Sequence, residues 1–65
     1  MNIKIPSGDV DTIHRDSMTG GAMIDLVPED GKNQSIFVDN NYTITIRDEF
    51  IEGLDEPLSF VVIEQ

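Results

Sequence analysis

The chain has 65 residues, with thirteen Asp and Glu against four Lys and Arg, one histidine and no cysteine. That length allows one domain, residues 1–65, which buries only about 60% of its unfolded surface and has neither disulfides nor thiolate metal ligands to reinforce it. A net charge of −9 repels phosphates and anionic headgroups, which argues against direct nucleic-acid or membrane binding and makes a basic protein surface the natural complement.

The apolar set is dominated by nine Ile and five Val, against three Leu and one Ala. β-branched residues favour strands, and no window keeps a helical period, so the expected class is all-β. Asn2 to Ile5 alternates and reads as a short strand stopped by Pro6-Ser7-Gly8. No long apolar run of the secretory type opens the chain. The longest such stretch, Phe60 to Ile63, falls far short of the ~20 residues that span a bilayer. The expected location is therefore the cytoplasm.

Asp9 to Asp16 admits two readings, a helical turn capped by Asp9 or an irregular strand. Ser17 to Gly21 reads as a flexible loop with Gly20-Gly21 as a hinge. Ala22 to Arg47 reads as a three-stranded meander with three-residue loops at 29–31 and 39–41. Asp30-Gly31 marks the first turn, and Asn41 is the candidate left-handed residue in the second. That register sets Ile24 opposite Ile36 and Ile36 opposite Ile44. It gathers Ala22, Ile24, Leu26, Ile36, Val38, Tyr42, Ile44 and Ile46 on one face.

Asp48 to Glu56 follows, with room for a helical turn that would point Phe50, Ile51 and Leu54 inward. Leu58 to Ile63 is apolar on both faces, which suggests a strand buried on both sides or lying at a subunit interface. The assembled expectation is an antiparallel meander of about five short strands, as a small barrel or curled sheet that a second copy of the chain could complete by dimerisation.

No motif carries catalysis or binds a cofactor or metal. His14-Arg15-Asp16 spells a kinase tripeptide, but a kinase needs a glycine loop and a metal-binding motif in a far longer chain. Asp9-Val10-Asp11 and Asp39-Asn40-Asn41 lack the Gly and closing Glu of a calcium loop. The string from Gln34 to Ile46 resembles the central hairpin of the CsrA family of small RNA-binding regulators. That family binds RNA through basic residues, and Met23 to Val27 has none, so the likeness implies a hairpin and not RNA binding.

The acidic segment is the candidate site: Asp48, Glu49, Glu52, Asp55 and Glu56, with Phe50 as an apolar anchor. Its spaced carboxylates resemble a phosphate row, which places one charge per ~3.4 Å of a nucleic-acid strand. The functional expectation is a non-enzymatic acidic inhibitor. It would occupy the basic surface of a nucleic-acid-binding protein, in the manner of small phage or mobile-element anti-defence proteins. The alternatives are a homo-oligomeric assembly module and a small-ligand sequestering protein.

Overall fold

Alternating β-branched residues leave little for a helix to use, and the computed structural model, which describes residues 2–65, is all-β. Its strands are β1 Ile3–Pro6, β2 Val10–Arg15, β3 Ala22–Leu26, β4 Ser35–Val38, β5 Thr43–Glu49 and β6 Leu58–Glu64. A single 3-10 turn, Ser7–Asp9, joins β1 to β2. Two antiparallel three-stranded sheets result, ordered β1-β6-β5 and β2-β3-β4. They pack face to face, because the core joins Ala22, Ile24 and Val38 of one sheet to Val61 and Ile63 of the other. The expected barrel or single curled sheet is thus corrected to a two-layer sandwich. The ambiguous segment after Asp9 supplies the additional strand, irregular as one reading had it, with a bulge between Val10 and Thr12.

The first hairpin keeps the expected register, with Ile24 opposite Ile36. Its tip differs. Glu29 and Lys32 bond each other's backbones, leaving a two-residue loop in which Asp30 (φ 54°) and Gly31 (φ 73°) are both left-handed. This is the primed turn whose twist matches a hairpin. Two residues, Val27 and Pro28, then oppose Asn33 alone before Leu26 donates to the Gln34 carbonyl. That mismatch absorbs the one-residue difference between tip and strands.

The second turn does not make a hairpin. Tyr42 N–H donates to the Asp39 carbonyl at 3.1 Å, but Asn41 does not take a positive φ. Without left-handed residues a tight turn splays its strands. The chain leaves the first sheet here, and β5 pairs with β6, setting Ile44 opposite Ile63 and Ile46 opposite Val61. The expected pairing of Ile36 with Ile44 is therefore overturned, and with it the hairpin shared with the RNA-binding family. The doubly apolar β6 is the better neighbour, since it lets Ile44 join the core margin.

Gly20 and Gly21, expected as a flexible hinge, each meet a local steric requirement. Gly20 is left-handed (φ 76°), and a Cβ on Gly21 would lie 2.8 Å from the Val38 carbonyl oxygen. The loop is tied down: Asp16 accepts from the backbone of Met18 and Thr19, and its own carbonyl takes the Gly20 N–H. Hydrogen bonding from the Met18 backbone first, then from the Thr19 side chain and backbone, holds the Asp16 carboxyl below its usual range.

β6 is apolar on both faces because it is the middle strand of its sheet. Val61 and Ile63 face the core, while Val62 lies on the outer face at 5% exposure. On that face Lys4 and Thr45 flank Val62 across the ladder. The Lys4 ammonium sits 4.9 Å from the Phe60 ring centroid and pairs with Glu49. Arg47 meets Glu64 with two bonds of 2.9 Å, a fork geometry that fixes both side chains. The chain's own cations thus lie over the face that suggested a subunit interface.

Ile24 is fully buried, whereas Ile46, assigned by alternation to the same face, is 70% exposed. The same truncation separates the two positions. Ile24→Ala should cost about 2–5 kcal/mol and Ile46→Ala under ~1 kcal/mol, read from urea midpoints. Equal losses at both sites would contradict this packing.

Candidate functional site

The two strands that carry the acidic segment outrun the sandwich. β5 and β6 pair over seven residues each, from Thr43 opposite Glu64 to Glu49 opposite Leu58. The facing sheet ends sooner, so cover fails at Ile46, and Asp48 and Ser59 beyond it are both exposed. The molecule measures 43 × 31 × 18 Å with a radius of gyration of 13.2 Å. A compact chain of this length would have about 11 Å. The excess accords with a projecting β5–β6 arm.

The loop from residue 50 to 57 closes this arm without a helix. Leu54 N–H donates to the Ile51 carbonyl at 3.1 Å, and Gly53 takes φ 91°. Glu52 keeps a negative φ, so this is a type II turn, which needs Gly at its third position. The expected helical turn is absent, and its inward apolar side chains point to solvent. Phe50 is 86% exposed, and Ile51, Leu54 and Leu58 are exposed as well.

The six expected site residues therefore share one arm but differ in their ties. Asp48 and Glu49 still belong to β5 and point to opposite faces. Asp48 accepts from the Ser59 hydroxyl, and Glu49 pairs with Lys4. Glu52, Asp55 and Glu56 lie in the loop, exposed, and enter no ion pair among the described residues. The arm presents three free carboxylates beside an exposed aromatic ring. Nothing in that set is a nucleophile or a shielded acid–base pair.

A second cluster escaped sequence reading. On the outer face of β2-β3-β4, Asp25 accepts from Ser35 at 2.7 Å and from Thr12 at 3.0 Å, and lies 2.9 Å from His14 Nε2. The register that sets Ile24 opposite Ile36 also sets Asp25 opposite Ser35. That was the available signal. The Thr12 hydroxyl and the Asp25 carboxylate both meet His14 at Nε2, at 3.0 and 2.9 Å, whereas a hydrolytic relay uses the two ring nitrogens separately. The cluster ties three strands together across their exposed face.

An open cleft of about 450 Å³ lies at the end of this sheet, between the Asp16–Gly21 loop and Asp39-Asn40, with Arg15 and Phe37 on its wall. The buried hydroxyls without partners, Ser7 and Thr45, line no part of it, so no orphaned polar group calls for a small ligand there. Among the described residues no group of His, Asp and Glu is placed to hold a metal ion. Nor is any helix long and apolar enough to cross a membrane. Comparison with family models, with curated proteins and with solved structures finds no match to the chain.

The Ser35 hydroxyl first, and the Thr12 hydroxyl after it, hold the Asp25 carboxyl below its usual range. A depressed folded-state value adds stability above the unfolded carboxylate's pKa, and that contribution is lost as pH falls through the folded value. Unfolding midpoints should therefore drop on acidification below about pH 4, and Asp25→Asn should flatten that drop while lowering stability at neutral pH. A variant with the parent's full acid dependence would remove Asp25 as a contributor.

Proposed function

We propose that this chain is a non-enzymatic binding protein whose acidic β5–β6 arm occupies a basic surface on a partner protein. One observation carries the reading: Phe50, Ile51 and Leu54 are turned out to solvent beside unpaired Glu52, Asp55 and Glu56. Apolar side chains exposed side by side mark interaction sites, whereas single scattered ones do not. Exposed together, they combine the two elements of a recognition surface, an aromatic anchor and a charged rim.

Charge supports the same partner chemistry. Lys4 and Arg47 are engaged on the outer face of their sheet, which leaves the arm's tip with carboxylates alone. A field of one sign steers a basic partner and speeds association. The surfaces that proteins offer to nucleic acid are basic grooves, so a nucleic-acid-binding protein is the partner class that fits, and occupancy of its groove would inhibit it. Small acidic phage or mobile-element inhibitors of host defence would act in this way. The assembly-module alternative has less to support it, because Val61, Val62 and Ile63 of β6 are buried within one chain.

Capture from host lysate at low salt, with the bound protein identified, supplies the partner. The variant E52Q/D55N/E56Q leaves the sheet contacts of Asp48 and Glu49 intact and should fold as the parent does. Its association should slow about tenfold at low salt, and the difference should shrink as salt screens it. Phe50→Ala should act instead on dissociation. Unchanged binding by both variants would reduce the arm to a solvated loop.

A further inference from the structure

An exposed strand edge is a template for another strand, and proteins blunt such edges. Among the four edges of this sandwich, three are blunted. β1 has four residues and ends at Pro6. β2 is broken by a bulge between Val10 and Thr12. β4 has four residues. The fourth, β5, runs seven residues with unbroken register against β6, and its other side has no strand beside it among the described residues. Its first half, Thr43-Ile44-Thr45-Ile46, carries no charge, no proline and no bulge.

Ile46 makes this edge more than an unpaired backbone. It lies on the core-facing side of its sheet, opposite Val61, yet is 70% exposed because the facing sheet does not reach it. A strand laid along β5 would bring an alternate side chain beside Ile46. The same edge runs directly into the loop that holds Glu52, Asp55 and Glu56.

We propose that the free edge of β5 is a strand-addition site for an extended segment of the partner, apolar where it passes Ile46 and basic where it reaches the 50–57 loop. This rests on the acidic-arm reading and gives it a binding mode: main-chain hydrogen bonds supply affinity and the charged end supplies specificity. A second copy of this chain is the poorer occupant, since each copy carries −9 and would set one acidic arm near another.

The probe is a short synthetic peptide of alternating valine and threonine ending in lysines, compared with the same peptide carrying one central proline. Proline cannot donate to the ladder, while charge and length are kept. Added to the intact chain, the first peptide should slow amide exchange along Thr43–Glu49 and bind about tenfold more tightly than the second, the loss expected for one or two ladder bonds. Equal, salt-sensitive binding of both peptides would overturn strand addition while leaving the acidic arm as a binding surface. Failure of both peptides to bind at low salt would overturn both readings. Protection of β5 that rises with protein concentration alone would put a second copy on the edge and overturn the basic partner.

Discussion

The fold depends on the burial of Ile24 together with Val61 and Ile63, the meeting of the two central strands across the sandwich. A domain of this size has no second core to fall back on. Each of those side chains contributes about 1.5–3 kcal/mol when fully buried, and few others are buried at all. The remaining strands flank these two. β2 and β4 complete one layer around β3, and β1 and β5 complete the other around β6.

That arrangement explains how a strongly acidic chain spends its few cations. The outer face of β6 leaves Val62 in need of cover, and the forked Arg47–Glu64 pair and the Lys4–Glu49 pair lie over that face. Such exposed pairs stabilise little individually, but their aliphatic stems exclude water from apolar surface. Among the described residues Arg15 and Lys32 enter no ion pair with a carboxylate. Cation placement therefore shapes the electrostatics as much as acid placement does. The middle of one sheet is neutralised, and the projecting end is left negative.

The same constraint produces the arm. Two seven-residue strands are paired against a facing sheet of shorter ones, so the core cannot extend under Ile46 or the loop beyond it. Apolar residues placed there have nothing of their own chain to bury against. Exposure of Phe50, Ile51 and Leu54 follows from strand length, and the proposed binding role would give those residues a use that packing does not.

Much of this was legible in the residues alone. β-branched composition set the class, alternation set the Ile24–Ile36 register and the two faces of β6, and Asp30-Gly31 marked a hairpin turn. These are local properties, decided by period and turn chemistry. What only the tertiary structure decided was which strand β5 would join. The run from Thr43 to Ile46 alternates equally well beside β4 or β6, and the choice rests on a turn at Asp39–Tyr42 that takes no left-handed residue and on a distant partner apolar on both faces. From that choice follow the two-layer sandwich, the stranding of Ile46 outside the core and the outward aim of Phe50. The Thr12–His14–Asp25–Ser35 cluster was hidden for the same reason. Its members are ordinary polar residues in sequence, and they become neighbours only when three strands are laid side by side.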